Sequence, residues 1–166
     1  MPRRPSQESF LALLDEHKKI LYKVAGSYSR TPEDRQDLEQ EIVAQLWRSF
    51  GRYDESHRFS TWMYRIALNV AISHYRSESR RSRRTVPAEE SVLEIADPRA
   101  AEPDPGLRIL RQLIAQLDEL DRALILLYLD GNRHDTIAEI LGISETNVGT
   151  KIGRIKARLR RDAATL

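Results

Sequence analysis

Apolar residues recur at steps of three and four along the first half of the chain, and this spacing predicts amphipathic α-helices. A first helix is predicted from Ser6 to about Tyr28. A second is predicted from Pro32 to about Phe50, because Thr31 offers a capping hydroxyl and proline and acids suit the first turn. The inward positions of the second helix are Leu38, Ile42, Leu46 and Trp47.

The segment from Phe59 to Arg76 predicts a third helix, capped by Ser60, with two different sides. Core packing is expected of Ile66, Ala67 and Val70. The polar side carries Arg65, Asn69 and Arg76, at spacings of four and seven residues. Aromatic rings, cations and an amide together suit unstacked nucleic-acid bases, although a core helix with a solvated charged face has the same pattern.

Prolines and acids are concentrated in residues 81–105, where apolar periodicity is lost, so this segment is expected to be a flexible acidic linker. Helical periodicity then returns. Asp121 is expected to cap a helix that ends before Gly131. The predicted fold is therefore all-α, with two small helical domains, 1–80 and 106–166, on either side of the linker.

The second domain contains a helix-turn-helix pattern. Ala138, Gly142 and Val148 are separated by four and six residues: a small residue allows close helix approach, glycine takes the turn and valine buries the second helix. Ser144 is expected to cap that second helix, whose polar groups suit base edges and phosphates. The candidate DNA-binding residues are Ser144, Glu145, Thr146, Asn147, Thr150, Lys151, Arg154 and Arg158. The alternative is an αα-hairpin that binds nothing.

Two glycines, Gly149 and Gly153, lie inside the predicted recognition helix, where each costs roughly 0.5–1 kcal/mol relative to alanine. With Ala157 they form a stripe of small residues at steps of four. The hypothesis is that this stripe allows close approach of a backbone or a neighbouring helix.

Charge is arranged in blocks, although the net charge of the 166 residues is only +2. Acids dominate residues 31–41 and 85–105, whereas basic residues dominate 76–84 and 151–161. A protein that binds only a phosphate backbone needs only the basic blocks. The acidic blocks therefore indicate a second partner or a second task.

Composition excludes several classes of function. The chain has no cysteine, which excludes disulfides, thiolate zinc sites and cysteine nucleophiles. The four histidines share no ligand spacing, so neither a metal nor another cofactor is expected. No apolar stretch approaches the roughly 18–20 residues that span a bilayer, and no signal-peptide segment is evident. A soluble cytoplasmic protein without membrane insertion is expected.

The aromatic–basic helix, the acidic linker and the helix-turn-helix, in this order, resemble the bacterial sigma factors of the extracytoplasmic-function (ECF) subgroup. The resemblance runs from about Phe10 to Arg161. Residues 59–69, Phe-Ser-Thr-Trp-Met-Tyr-Arg-Ile-Ala-Leu-Asn, closely match the promoter-melting segment of that family. Residues 37–42 resemble its polymerase-binding helix, and residues 121–131 with the helix-turn-helix resemble its −35 module.

The resemblance implies an alternative sigma factor, which binds core RNA polymerase, recognises −35 and −10 promoter elements and melts the −10 region. The residues implied in melting and in the base pocket are Tyr53, Arg58, Trp62, Tyr64, Arg65, Asn69 and Arg76. Those implied at the polymerase clamp helices are Asp37, Gln40, Glu41 and Arg48. The resemblance also implies that the linker threads the RNA-exit path and that an anti-sigma factor is a further partner.

The chain departs from the family pattern in its helix-turn-helix. Family members often carry a basic residue, a serine and another basic residue after the valine, whereas residues 149–151 are Gly-Thr-Lys. His134 stands where an aromatic residue is common. The −35 contacts are therefore expected to shift toward Lys151 and Arg154.

Two other functions are compatible with parts of the sequence. The helix-turn-helix alone fits a transcriptional regulator that acts without core polymerase, which leaves the acidic second helix and the Trp62–Asn69 segment unexplained. Asp37 and Glu41, four apart on one helix face, fit a metal-dependent hydrolase, but no third ligand or nucleophile has a legible spacing. No enzymatic activity is expected.

Overall fold

The computed structural model describes residues 6–84 and 104–166. Within these ranges the chain forms α-helices and one short 3₁₀ turn and has no strand, which confirms the predicted all-α class. The helices are α1 (Gln7–Glu16), α2 (Lys18–Ser27), α3 (Pro32–Ser49), α4 (Phe59–Arg84), α5 (Pro105–Ala115), α6 (Glu119–Leu129), α7 (His134–Leu141) and α8 (Glu145–Ala164), and the 3₁₀ turn is Phe50–Arg52.

The chain divides into two compact units, Met1–Leu93 and Glu94–Leu166. Most of the predicted linker, 81–105, lies outside the described residues. Its first residues are helical, because α4 continues to Arg84, and its last residue, Pro105, begins α5. The limits of the two domains and of the linker stay predictions.

Helix α3 begins as its sequence indicates. The Thr31 hydroxyl accepts a hydrogen bond from the backbone N–H of Asp34 at 3.0 Å, and Pro32 occupies the first turn. Three of its predicted inward residues are fully buried between α2 and α4, namely Leu38, Ile42 and Leu46. These three helices supply most of the core of the first unit, to which α1 adds Phe10 and the 3₁₀ turn adds Phe50.

The predicted first helix is wrong in one respect, because it is interrupted at His17. His17 has φ −111° and ψ 16°, and its backbone N–H donates to the Leu13 carbonyl at 3.1 Å. Its ring Nδ1 lies 2.9 Å from the same carbonyl, and the ring packs against Phe59 with centroids 4.9 Å apart. The backbone bond is that of a regular helix, and the interruption between α1 and α2 lies in the non-helical dihedral angles of His17.

Trp47, which was expected to lie inward, is 44% exposed. One side of its ring packs against Phe10, with centroids 5.2 Å apart. The prediction is wrong because Leu46 already fills the inward position, and adjacent helical residues point about 100° apart. Trp47 therefore combines a supported ring with an accessible face.

Helix α4 begins before the predicted cap. The backbone N–H of Trp62 donates to the Arg58 carbonyl at 3.2 Å, so Ser60 lies inside the first turn and does not cap it. Ile66 and Val70 are only half-buried, so the core prediction holds for Ala67 alone of its three residues. The fully enclosed side of α4 consists of Met63, Tyr64, Ala67, Leu68 and Ala71.

Helix α6 also begins earlier than predicted, because its cap is Asp118. The Asp118 carboxylate accepts a hydrogen bond from the backbone N–H of Asp121 at 2.8 Å. Arg122 is 3% exposed, and its guanidinium donates to the carbonyls of Ala115 at 2.8 Å and Leu117 at 3.0 Å. This buried cation satisfies carbonyls that the end of α5 leaves without helical partners.

Helices α7 and α8 form the predicted helix-turn-helix. Gly142 has φ +68°, a left-handed conformation that suits glycine, and its N–H donates to the Ala138 carbonyl at 2.8 Å. The Ser144 hydroxyl accepts from the backbone N–H of Asn147 at 3.1 Å and begins α8. Val148 is fully buried. The three-point spacing thus identified the turn and the buried position correctly.

Replacing Gly153 with alanine is expected to raise the free energy of unfolding by about 0.5–1 kcal/mol. A Cβ at Gly153 would meet no atom within 4 Å, and one at Gly149 would lie 3.7 Å from the His134 ring, an ordinary contact. No neighbour in the described part of the chain therefore requires glycine at 153.

Chemical denaturation of Gly153→Ala measures this gain, and a loss of stability would contradict it. If DNA approaches the small-residue stripe closely, promoter affinity falls while stability rises. Unchanged promoter affinity would show that Gly153 lowers the stability of the helix without contributing to DNA binding.

Candidate nucleic-acid interfaces

One side of α4 brings together the polar residues that the spacing predicted. Arg65, Asn69 and Arg76 are exposed, Ser73 is exposed between them, and the half-buried Trp62 begins the row. These five residues are named the α4 stripe. They cover fourteen helical steps, or roughly 21 Å. The stripe presents a ring, two cations, an amide and a hydroxyl over a length that several nucleotides can follow.

The Trp62 ring is held by other aromatic rings at the beginning of α4. Its centroid lies 5.1 Å from that of Tyr53, 5.3 Å from that of Phe59 and 6.2 Å from that of Phe50. Arg58, directly before α4, is exposed. A ring fixed by its neighbours but partly accessible can act as a stacking platform for a base.

Tyr53 belongs to the loop that connects α3 to α4. Its hydroxyl donates to the His57 carbonyl at 2.8 Å. Burial, followed by the negative charges of Glu55 and Asp54, raises the pKa of Tyr53, so the phenol keeps its proton near neutral pH. The Ser56 backbone N–H donates to the Asp54 carboxylate at 2.9 Å and lowers the pKa of that carboxyl. Two hydrogen bonds within the loop, from Tyr53 to His57 and from Ser56 to Asp54, therefore restrain its conformation.

Tyr64 does not lie on this surface. Its side chain is 2% exposed and shares the enclosed side of α4 with Leu68. The predicted role of Tyr64 in a base pocket conflicts with this burial, because a ring inside the core cannot stack on a base unless the core opens. The family resemblance assigned Tyr64 to the pocket, but residues two apart on a helix point about 200° apart, so Tyr64 faces away from Trp62.

A groove of about 300 Å³ lies between α3 and α4 and includes Asn69 of the stripe. It is named the α3–α4 groove and is lined by Glu41, Gln45, Ile66, Asn69, Val70 and Ser73. The two apolar residues are half-buried, and four polar side chains surround them. Sequence reasoning missed Gln45 and Ser73. The available signal was helical spacing, because Gln45 is four residues beyond Glu41 and Ser73 is four beyond Asn69.

The residues expected to contact polymerase all lie on the exposed side of α3. They are Asp37, Gln40, Glu41 and Arg48. The Arg48 guanidinium donates to the Ala44 carbonyl of its own helix at 3.3 Å. Trp47 adds an apolar ring to this side, which sequence reasoning had assigned to the core. The α3 surface thus combines acids, an amide, a cation and one partly exposed indole.

All eight candidate residues of the helix-turn-helix are exposed. Asn147, Lys151, Arg154 and Arg158 follow one another at steps of four, three and four, so they share one side of α8. Asp121 lies close to this side: burial and the Asp118 charge raise the pKa of Asp121, and Lys151 and Arg158 oppose that rise. The exposed side of α8 is therefore predominantly cationic.

Within the described ranges, no three histidine, aspartate or glutamate side chains are grouped closely enough to hold a metal ion. None of the helices in these ranges combines the length and hydropathy needed to cross a lipid bilayer.

A helix-turn-helix in one unit and an aromatic–cationic stripe in the other are features expected of a DNA-binding protein. The Sigma-70 region 2 family matches residues 13–81, and the Sigma-70 region 4 family matches residues 107–159. The two matches together cover both units. They fall on the helices that carry the candidate interfaces.

Individual relatives agree with these family matches. The ECF RNA polymerase sigma factor SigM of Mycobacterium tuberculosis is 28% identical over 153 residues, which are 92% of this chain and 76% of SigM. The sigma factor RpoE of Bartonella quintana, solved with the anti-sigma factor NepR, has a TM-score of 0.71 at 19% identity, with 93% of this chain and 94% of RpoE covered.

CnrH, solved with the cytosolic domain of CnrY, has a TM-score of 0.68 at 23% identity, with 96% of this chain and 90% of CnrH covered. The chain belongs to the ECF sigma factors of the sigma-70 family. This family is not a family of enzymes.

Proposed function

We propose that this chain is an alternative sigma factor that binds core RNA polymerase, recognises −35 and −10 promoter elements and melts the −10 region. The observation that carries the proposal is the presence, in one chain, of the α4 stripe and the cationic side of α8. A regulator that only binds duplex DNA requires the cationic side of α8 but does not require the α4 stripe.

The α4 stripe supports a role in opening the −10 element. Trp62 is placed at the beginning of the stripe, where its supported ring can stack at the edge of the opened duplex. Asn69 and Tyr53 are assigned to an unpaired base, whose extraction from the stack costs roughly a few kcal/mol. Ring contacts and the amide's hydrogen bonds offset that cost. The exposed arginines at 58, 65 and 76 are assigned to nearby phosphates.

The exposed side of α3 is assigned to the clamp helices of core polymerase. Its acids can pair with basic groups of the partner, and charge pairing of this kind favours the correct orientation and rate of association. Trp47 supplies a preorganised indole, a residue type that often dominates binding energy in interfaces. Asp37, Gln40, Glu41 and Arg48 would surround it.

The helix-turn-helix is assigned to the −35 element. Helix α8 enters the major groove, where Asn147 and Thr150 reach base edges and Lys151, Arg154 and Arg158 contact phosphates or guanine edges. The first-turn residues Ser144, Glu145 and Thr146 lie at the same end of the helix. Base preference here depends on few side chains, because 149 and 153 are glycines.

Control of the chain is assigned to an anti-sigma factor, a protein of the kind solved with RpoE of Bartonella quintana. Such a partner masks the polymerase-binding and DNA-binding surfaces. The acidic linker is assigned to the RNA-exit path of polymerase, where its negative charge would occupy a basic channel. The chain would act in the cytoplasm, without a cofactor and without catalysis of its own.

Binding to purified core polymerase discriminates between this function and a regulator that acts alone. A fluorescently labelled chain is expected to bind core with a Kd below about 0.1 μM, a typical range for a specific protein interface. Replacing Trp47 with alanine is expected to weaken binding by at least tenfold, since loss of a buried indole anchor costs about 2 kcal/mol or more.

The matched control is Leu11→Ala, an exposed apolar residue of α1, which should change affinity by less than threefold. Absence of binding by the wild-type chain would favour the regulator. If Trp47→Ala binds core polymerase as tightly as the wild-type chain, the indole is not part of the interface and the acids of α3 are left to provide the binding energy.

A further inference from the structure

A serine near the end of α4 is held by an arginine from another part of the chain, and we propose that Ser79 is a phosphorylation site that controls promoter binding. The Arg30 guanidinium, from the connection between α2 and α3, donates to the Ser79 hydroxyl, with Nη2 3.2 Å from Oγ. The site itself rests on the contacts of Arg30. Its consequence for promoter DNA rests on the proposed function.

Arg30 is held in place beside this hydroxyl. Its guanidinium carbon lies 5.6 Å from the centroid of the Tyr75 ring, which is a cation–π distance. The Tyr75 ring meets the ring of Tyr28 edge to face, with centroids 6.1 Å apart, and Tyr28 is 1% exposed. The Arg30 backbone N–H donates to the Asp34 carboxylate at 3.2 Å. A preorganised cation loses little conformational entropy when the hydroxyl beside it becomes a phosphate.

A second arginine approaches the same position from α4 itself. Tyr75 and Ser79 are four residues apart, and both contact Arg30, so they share one side of the helix. Arg76, three residues before Ser79, is exposed on the neighbouring side. A phosphoserine carries about −1.5 to −2 charges at pH 7 and three strong acceptor oxygens. Arg30 and Arg76 can therefore bind one phosphate from two different elements.

The opposing charge nearby is already compensated. Glu78 directly precedes the serine, and its Oε1 lies 3.7 Å from Nη1 of Arg81. Asp34, which accepts from the Arg30 backbone, has its other oxygen 2.7 Å from Nε2 of His74. Each carboxylate thus has a partner of its own, and the Arg30 guanidinium remains directed at Ser79.

The last turns of α4 are accessible to a modifying enzyme. Ser79 is half-buried, and none of the side chains from residue 73 to residue 81 is buried. This end of the helix can therefore open locally without disrupting the core. Residues 76–81 read Arg-Ser-Glu-Ser-Arg-Arg, so cations lie on both sides of the serine. A protein kinase with an acidic substrate cleft attracts such a segment by charge complementarity.

The modification is a phosphoryl transfer from ATP, catalysed by a protein kinase. A bond forms between the Ser79 oxygen and the γ-phosphorus of ATP, while the bond from that phosphorus to the β–γ bridging oxygen breaks. ADP leaves, and the hydroxyl proton passes to a base of the kinase. In the product, three phosphate oxygens replace one hydroxyl as acceptors for Arg30.

Arg76 connects this site to DNA, because it is the last member of the α4 stripe. Residues three apart on a helix are neighbours, so a phosphate on Ser79 pairs with Arg76 and withdraws it from the DNA strand. The phosphate also repels the DNA backbone. Both effects weaken −10 binding. The residues assigned to polymerase lie on α3, so phosphorylation is expected to separate promoter binding from polymerase binding.

The first test uses the full chain phosphorylated at Ser79 by genetic encoding of phosphoserine, which needs no particular kinase. Its holoenzyme is expected to bind fork-junction −10 DNA at least tenfold more weakly than wild type, with affinity for core within twofold. The melting temperature of the free chain should rise by about 2–4 °C, because the phosphate ties Arg30 to α4. Ser79→Ala should bind the same DNA as wild type does.

Arg30→Gln identifies the partner of the phosphate. In the chain phosphorylated at Ser79 it should abolish the rise in melting temperature, and in the unmodified chain it should leave DNA affinity unchanged. The matched control is phosphorylation at Ser77, an exposed serine two residues away that faces a different side of α4. This control should not raise the melting temperature. Loss of DNA affinity on Arg30→Gln in the unmodified chain would assign Arg30 to a DNA phosphate and overturn the proposal.

Access to the hydroxyl is tested by incubating the wild-type chain with ATP and a kinase that prefers basic segments, followed by peptide mass spectrometry. Phosphate on Ser79 is expected, and phosphate on other serines alone would contradict the proposal. If wild-type holoenzyme does not bind the −10 fork, the proposed function fails, while the melting temperatures still report on the site. If wild type binds and phosphorylation at Ser79 neither weakens DNA binding nor stabilises the chain, the phosphorylation site is overturned.

Discussion

Replacing Asn69 with alanine is expected to slow open-complex formation at least tenfold and to leave affinity for core polymerase within twofold. Asn69 is exposed in the α3–α4 groove, so the substitution removes no core packing. Bidentate contacts between an amide and a base contribute about 1–3 kcal/mol, and each 1.4 kcal/mol corresponds to about tenfold. Opening is measured by the fluorescence of 2-aminopurine placed in the −10 region, with saturating holoenzyme.

The control for Asn69→Ala is Gln36→Ala, which removes another exposed amide of the first unit outside the groove. The control should open promoters at the wild-type rate. If Asn69→Ala instead lowers the melting temperature or the affinity for core, Asn69 is structural and the groove loses its central residue. Normal opening with normal core affinity would assign base capture to other residues.

Replacing both Lys151 and Arg154 with alanine is expected to lower the affinity of holoenzyme for duplex DNA that contains the −35 element. Each cation accounts for one unit of the salt dependence if it contacts one phosphate, so the slope of log K against log salt should fall by about 2. The expected loss at physiological salt is about tenfold or more. Both side chains are exposed, so folding should be unaffected.

Arg111→Ala is the matched control for this pair, because Arg111 is an exposed arginine of α5 in the same unit. It should change neither the affinity nor the slope. A double variant that keeps the wild-type salt dependence would show that the cationic side of α8 does not face DNA. Loss of sequence preference without a change of slope would place the two residues at base edges.

The parts of the fold that the sequence predicted are those decided by short-range chemistry. Thr31 caps α3 through its own hydroxyl, and Gly142 turns the chain because it tolerates positive φ. Ser144 caps α8 in the same way as Thr31 caps α3. Each of these signals involves residues within four positions of one another, so a single sequence contains all the information needed.

The wrong predictions concern choices between neighbouring residues. Asp118 and Asp121, three residues apart, are both suitable helix caps. Asp118 is the one used, and with this helix start Arg122 reaches the end of α5. The first helix is interrupted at His17, whose ring packs against Phe59, a residue distant in the sequence. Such contacts depend on tertiary packing, which periodicity along one segment cannot reveal.

The candidate site was only partly visible for the same reason. The row of Arg65, Asn69 and Arg76 follows from the periodicity of one helix, and the structure places all three on the surface. The groove requires two helices: steps of four place Gln45 on the same side as Glu41 and Ser73 on the same side as Asn69, but they do not show that these two sides face each other. Tyr64 shows a different error, because the family resemblance assigned it to the base pocket, whereas its side chain points into the core.

Run-off transcription with purified core polymerase on genomic DNA fragments tests the central claim most directly. Core alone gives only non-specific transcripts. Addition of the chain is expected to produce discrete transcripts from a small set of promoters, and Asn69→Ala should reduce their yield at least tenfold at equal occupancy of core. Absence of any promoter-specific transcript above the level of core alone, with a folded chain that binds core, would contradict the account.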